Sequence, residues 1–392
     1  MIDRENREDI FIPLSEPFLA GNEWIYVKEC LDTGWVSTAG KFVDRFEEEI
    51  RRLTGAKHAV ACVNGTAALQ VALRIAGVRR GDEVIVPTVT FISPINAVRY
   101  LDAEPVFMDC DEFYNLDSLK TLEFVKEETV FREGASYNKR TGRKISALIA
   151  VHVFGNAVYL DDLISICQEN RIRVIEDAAE SLGTRYTRTR FAGKHTGTVG
   201  ELGCLSFNGN KIITTGGGGM ILTDSEDHAE KARYLTTQAK DDKVRYIHNE
   251  VGYNFRLTNL QAALGVAQLE QLPDYLEKKK QNYEYYKAAV DRIPGLHLAE
   301  TPPYAENNHW MYALQVDSSL YCRDREGLMK HLASQGVQSR PLWQLNHLQK
   351  PYRRCPHYRI ENAVRLLAQT LNLPCSVPLT IRQMDLVIRS LK

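Results

Sequence analysis

No stretch of this 392-residue sequence is apolar for long enough to read as a membrane span. An excess of one charge is also missing, since 49 Lys and Arg against 50 Asp and Glu leave a net charge of −1. Bulk electrostatics therefore favours neither nucleic acid nor an anionic membrane as partner. The first residues, MIDRENREDIFIP, carry too much charge for a signal peptide. Eight cysteines are spread singly from Cys30 to Cys375, without a CxxC pair or a metal-like spacing. They read as reduced, mostly structural thiols of a cytoplasmic protein, with no metal site expected. Internal repeats and low-complexity tracts are absent too, which leaves an ordinary globular chain.

The composition that is there, 44% apolar and 25% charged, agrees. The length suits one large domain and one smaller one. Seven short β-rich runs mark the first two thirds: HAVACV (58–63), EVIVP (83–87), EPVFMD (104–109), SALIAVHV (146–153), RVIED (173–177), CLSF (204–207) and GMILTD (219–224). The first five are almost wholly apolar, as strands buried on both faces of a mainly parallel sheet would be. Helical patterns such as TAALQVALRIAGV and LDDLISICQENR lie between them. The expected fold is an α/β domain over residues 1–265 with a mainly parallel, seven-stranded sheet. Residues 111–145 read as a polar loop or hairpin insertion. A smaller α+β domain over 266–392 follows, entered through two helices interrupted at Pro273, with the N-terminal segment expected to pack on it.

Ligands of open α/β sheets bind beyond the carboxyl ends of the strands, and three motifs fall there. In HAVACVNGTAALQVAL a strand meets a turn at Asn64-Gly65 and a helix begins near Thr66, so free amides and the helix dipole favour an anion such as phosphate. By itself this also reads as an ordinary capped βα turn. Asp177 ends the buried run RVIED, where a carboxylate needs a partner; a helix cap would serve as well. Lys211 lies in SFNGNKIITTGGGGM, between a strand and a glycine-rich turn. A partly desolvated lysine there becomes nucleophilic toward carbonyls, although a hairpin surface lysine is the plainer reading. Taken together they supply an amine, an acid and a phosphate cradle at one sheet edge. Pyridoxal 5′-phosphate (PLP) needs that set.

The chain resembles the DegT/DnrJ/EryC1/StrS family of PLP-dependent nucleotide-sugar aminotransferases over essentially its whole length. The residues that carry the likeness are GWVSTAGKFVDRFE, VNGTAAL, VPTVTFISPINAV, EDAAES, SFNGNKIITTGGGGM and GYNFRLTNLQAA. The resemblance implies the fold type I architecture of PLP-dependent transferases, like aspartate aminotransferase. It implies Lys211 as the Schiff-base lysine and Asp177 as partner of the pyridine nitrogen. Glu180 falls where relatives contact the ring hydroxyl, often with His or Gln, and Phe91 matches the aromatic stacked on the ring. Gly65, Thr66 and Ser206 would hold the phosphate, while Asn254 matches an asparagine reaching the neighbouring subunit's cofactor, which implies a homodimer with shared active sites.

Within the family the run TTQAKDDKVRYIHNEVGYNFRLTN is most like sugar 4-aminotransferases acting on UDP-linked 4-keto-6-deoxy-N-acetylhexosamines, with L-glutamate as amino donor. Related sugar 3-dehydratases carry His where this chain has Lys211, which argues for amino transfer. Lys240, Arg245, His248 and Arg256 are cations near candidate loops, and Lys240, Arg245 and Arg256 are the expected contacts of the nucleotide's pyrophosphate; solvated surface charge is the alternative for each. His309, Arg340 and His347 lie in stretches that relatives use near the active-site mouth, and packing or an interface would also account for them. A 3-aminotransferase, a GDP-sugar 4-aminotransferase and a non-catalytic binding protein of the same fold remain as rival readings.

Overall fold

The computed structural model describes residues 11–242 and 244–392. Residues 1–10, most of the charged opening segment, lie outside the described residues. Along the chain the first strands are β1 (His58–Cys62), β2 (Glu83–Pro87), β3 (Glu104–Met108), β4 (Thr129–Arg132), β5 (Ala135–Asn138), β6 (Lys144–Val151) and β7 (Arg173–Asp177). They are followed by β8 (Arg185–Tyr186), β9 (Leu202–Ser206), β10 (Gly219–Thr223), β11 (Leu296–Leu298) and β12 (Ala305–Glu306). The last four are β13 (Tyr312–Val316), β14 (Arg340–Pro341), β15 (His357–Tyr358) and β16 (Thr370–Leu373).

All seven expected runs are strands of one sheet, in the order β1-β10-β9-β7-β6-β2-β3-β15. From β9 through β15 every neighbouring pair is parallel; β10 runs against both β1 and β9. The carboxyl ends of β1, β9, β7, β6, β2 and β3 therefore share one edge. Their near-continuous apolar sequences are explained by helices on both faces. The helices α1 (Glu23–Thr33), α2 (Lys41–Thr54), α3 (Gly65–Ile75), α4 (Ser93–Arg99), α5 (Ser118–Glu127), α6 (Asp161–Glu169) and α7 (Glu226–Thr236) surround the sheet. Val84, Val86, Ile149 and Ile175 bury into the cluster that holds Leu69 and Leu73 of α3, while Ile85, Leu148 and Val174 meet Phe124 of α5 and Leu163 of α6.

The sheet has ten strands, three more than the seven runs suggested. Two of the extra strands are β4 and β5, an antiparallel hairpin in the 111–145 insertion, which also contains α5. The third is β15, a two-residue strand from the C-terminal third that pairs with β3. Two residues carry too little periodicity to be read as a strand.

The second difference concerns Pro273. The two helices expected on either side are one, α8 (Asn259–Val290), with the proline inside. Proline removes one helical donor and crowds the preceding turn. Here that loss is outweighed by packing: α8 buries Val266, Leu272, Tyr275, Tyr283 and Tyr286 along its length. Its start is fixed by a capping box between Thr258 and Gln261. The boundary expected near residue 265 lies inside this helix.

Beyond α8 a four-stranded antiparallel sheet, β11-β13-β16-β14, packs with α9 (Arg325–Ser334) and α11 (Ile381–Ser390) around a second core that holds Leu314, Leu332, Leu371 and Val387; α10 (Asn362–Gln369) leads into β16. The N-terminal segment joins this core, as Ile12 is buried there and exchanges backbone hydrogen bonds with Gly336 and Gln338. Among the described residues no helix is long and apolar enough to cross a membrane. All eight cysteines are free thiols, seven of them buried.

Candidate active site

At the end of β1 the Asn64 side chain accepts the Ala67 amide at 2.8 Å and caps α3. The first amides of that helix, those of Gly65 and Thr66, have no intrahelical acceptor and make an anion site with the helix dipole. Two glycines allow the crowding around this turn. A Cβ on Gly65 would lie 2.9 Å from Ser206 Cβ, and one on Gly219 would lie 2.5 Å from the Asn64 carbonyl. Strands β1, β10 and β9 are thereby brought close enough for Ser206 to stand beside the helix start.

Asp177 closes β7. It is 4% exposed, and its carboxylate accepts the Ala179 amide at 3.1 Å. Burial holds its pKa above the usual carboxylate range, with the Ala179 amide and Lys211 acting the other way. The neighbouring Glu176 anchors this strand end. It is fully buried, accepts the amides of Gly197, Val199 and Gly200, and meets His152 Nε2 at 2.9 Å. Since His152 Nδ1 accepts the Val158 amide, Nε2 carries the proton that goes to Glu176. Burial alone would raise the Glu176 pKa, but these bonds bring it below normal.

Lys211 follows β9 in a turn closed by its own amide to the Asn208 carbonyl at 3.0 Å. Its side chain is 13% exposed, and Nζ lies 3.9 Å from Glu180 Oε1. Burial lowers the pKa of the amine, while Glu180 and Asp177 pull it back up. Glu180 is 6% exposed, and its other oxygen accepts the Phe154 amide at 2.8 Å. Burial pushes this carboxyl up to about 7, against the Lys211 charge and the Phe154 amide. The Trp310 ring centroid lies 4.1 Å from Lys211 Nζ.

These groups line one cavity of about 650 Å³. Gly65, Thr66, Phe91, Asp177, Glu180, Ser206 and Lys211 are all on its wall, as is Arg340. Phe91 is 53% exposed, with its ring edge-on to Trp343 at 6.4 Å between centroids, so one face is open to a ligand. The other candidates lie elsewhere. Asn254 is exposed and bridges to Thr237, while Lys240 stacks over Tyr246. Arg245 is paired with Asp242, His248 bonds the Gln238 carbonyl, and Arg256 bridges to Cys62. None of these five lines the cavity.

His309 stacks on Tyr283 at 4.4 Å beside a separate small void, and burial pushes its pKa down to about 4. His347 Nδ1 meets Thr88 Oγ1 at 2.7 Å behind the cavity wall. Sequence reading missed Trp310, Phe154, Trp343 and Asn372, which all line the cavity. Phe154 directly follows β6 and so lies at a strand end, whereas Trp310, Trp343 and Asn372 come from segments that only the fold brings there; Arg340 and His309 were the sequence clues to that side.

The donor set fits pyridoxal 5′-phosphate. A buried amine for the aldehyde, a buried carboxylate for the ring nitrogen, an open aromatic face and a helix start with a hydroxyl beside it all meet in one cavity.

The model of the DegT/DnrJ/EryC1/StrS aminotransferase family matches residues 19–392. The chain is 39% identical over 341 residues to a putative pyridoxal phosphate-dependent aminotransferase, EpsN, of Bacillus subtilis, covering 86% of this chain and 83% of that protein. It is 37% identical over 385 residues to a GDP-perosamine synthase of Caulobacter vibrioides, covering 97% of each. Among solved structures it resembles DesI in the presence of its TDP-sugar product, with a TM-score of 0.85, 28% identity and coverage of 97% and 92%. A family member from Brucella abortus matches with a TM-score of 0.84 and 25% identity over 94% of each chain.

Proposed function

The chain belongs to the DegT/DnrJ/EryC1/StrS family of PLP-dependent nucleotide-sugar aminotransferases, and we propose that it moves an amino group from L-glutamate to C4 of a UDP-linked 4-keto-6-deoxy-N-acetylhexosamine. The product would be a UDP-4-amino-4,6-dideoxy sugar for surface glycan synthesis. The observation that carries the transfer chemistry is the meeting of Lys211, Asp177 and the α3 start in one cavity. The narrower sugar rests on the 236–259 run. A GDP-linked sugar is the second reading, favoured by the perosamine synthase likeness.

In this reading Lys211 Nζ would hold the cofactor and, once displaced from it by the donor's amine, would carry a proton to and from the carbon that changes oxidation state. Such proton transfer contributes on the order of 10²–10⁴-fold. Asp177 would keep a proton on the ring nitrogen. Gly65, Thr66 and Ser206 would hold the phosphate, and Phe91 would offer its open face to the ring. PLP supplies the electron sink that stabilises a carbanion at the reacting carbon. Glutamate leaves as 2-oxoglutarate, and the sugar's C4 carbonyl becomes an amine.

Lys211 and Arg340 are the only cations on the cavity wall among the described residues. Arg340 is thus the group to receive the donor's carboxylate. The expected pyrophosphate ligands Lys240, Arg245 and Arg256, with Asn254, lie outside their own chain's cavity. That placement suits a homodimer in which each loop completes the other subunit's site. Assay of UDP- and GDP-linked 4-keto sugars with L-glutamate, with product stereochemistry read by NMR, tests the proposal. Turnover of the GDP sugar alone would replace it with the second reading.

A further inference from the structure

Lys279 of α8 is 3% exposed, yet no carboxylate lies within ion-pair distance of it among the described residues. A lysine buried in that way is expensive unless its protons are used. Its amine donates to the carbonyls of Trp310 at 2.8 Å and Cys375 at 2.5 Å, above the Tyr312 ring. Cys375 belongs to the small core, whereas Trp310 belongs to the large one and lines the cavity. Trp310 continues the chain of contacts: its indole N–H donates to the Asn210 carbonyl at 2.7 Å, one residue before Lys211. The face of the same ring lies 4.1 Å from Lys211 Nζ. Trp310 is thus held by its carbonyl at one end and holds the backbone of the reactive lysine at the other.

We propose that Trp310 is a positioning residue for Lys211, and that buried Lys279 sets Trp310 in place. The indole fixes where the Lys211 nitrogen sits, and its electron-rich face favours the charged form of that nitrogen. Glu180 at 3.9 Å, Asp177, and Arg340 on the cavity wall are the other charged groups that face Lys211. Those facing Lys279 are Cys375, Tyr312 and His309.

The inference rests on Lys211 as the lysine that binds the cofactor. Borohydride reduction of the holoenzyme, followed by peptide mapping, tests that premise alone. A label on another lysine would overturn the proposed function and this inference together, whereas a label on Lys211 with an unmoved midpoint in W310L would overturn the inference alone.

With the label on Lys211, the measurement is the pH midpoint of the absorption change of the lysine-bound cofactor in wild type, W310L, W310F and K279M. W310L should lower the midpoint by about half a unit to one unit, because the charged nitrogen loses its aromatic partner. W310F keeps a ring and should recover part of that shift. K279M should move the midpoint in the same direction as W310L, since Trp310 is then freed at its carbonyl. The same variants should lower kcat about three- to tenfold, with KM for both substrates within about twofold. An unmoved midpoint in W310L, or an effect confined to KM, overturns the proposal. A shift in W310L without one in K279M removes Lys279 from it. If K279M does not fold, K279A takes its place at the same midpoint, and if neither folds the W310L and W310F midpoints decide the proposal for Trp310.

Discussion

Glu180 Oε1 stands 3.9 Å from the Lys211 amine, while Glu180 Oε2 accepts the Phe154 amide. The carboxyl is thus fixed by the chain that follows β6 and turned toward the lysine. Burial, its largest influence, raises its pKa to about 7 from the ordinary 4.5. The folded protein therefore holds this proton more tightly than the unfolded chain. The resulting stability is fully present below about pH 4.5 and is lost as the pH rises through about 7. Thermal melts of cofactor-free protein from pH 4.5 to 8 should show this decline, worth at most about 3 kcal/mol. E180Q should flatten it, and an identical slope in E180Q would count against the assignment.

Lys211→Ala should abolish turnover, with a loss of at least about 10²–10⁴-fold from proton transfer alone. The variant should still bind PLP noncovalently, because the helix start, Ser206 and Asp177 remain. Borohydride should fix no cofactor to it. Retained turnover would refute the role.

Asp177→Asn keeps the size and the Ala179 contact available but removes the charge. A fall of about 10²–10³-fold in kcat is expected, in the range seen when one electrostatic partner of the reacting system is removed. Cofactor content should stay near that of wild type. Loss of cofactor without a kcat effect in the loaded fraction would assign Asp177 to binding only.

Gly219→Ala inserts a methyl 2.5 Å from the Asn64 carbonyl and 2.7 Å from the Gly65 amide. Backbone atoms cannot move aside cheaply, so a cost of about 1–3 kcal/mol is expected. Because the displaced residues form the anion turn, PLP affinity should fall together with the melting temperature. A melting drop with unchanged PLP affinity would separate the glycine from the site.

Arg340→Gln should raise KM for L-glutamate by about 10- to 100-fold, the loss of one charge-assisted hydrogen bond. KM for the keto sugar should change little. Equal rises in both would show that Arg340 shapes the cavity without selecting the donor.

Much of the site was legible because the sheet is buried on both faces. Runs such as RVIED read as central strands, which put Asp177, Lys211 and the Asn64-Gly65 turn at strand ends, and the pairing of β1, β10, β9 and β7 brings those ends to one edge. Trp310 was not legible. Its ring reaches Lys211 because Lys279, on a helix running past Pro273, holds its carbonyl. No local pattern encodes a contact of that kind. Helix propensity likewise misread Pro273, where packing along the whole helix outweighs one missing donor. The basic residues of the 240–256 loop were legible as cations, but their distance from the cavity was not, since loop direction depends on the fold around it.

Strand β15 has a consequence for the order of assembly. His357 and Tyr358 pair with Phe107 and Met108 of β3, at the edge of the sheet that carries Asp177 and Lys211. A ribosome making this chain has completed every other strand of that sheet long before residue 358 emerges. Until it does, β3 presents an open edge whose unpaired amides and carbonyls can recruit another nascent chain. The last strand of the sheet is therefore added only as the small core is synthesised, and truncation before β15 would leave the β3 edge unpaired while also removing β16 and α11 from the small core.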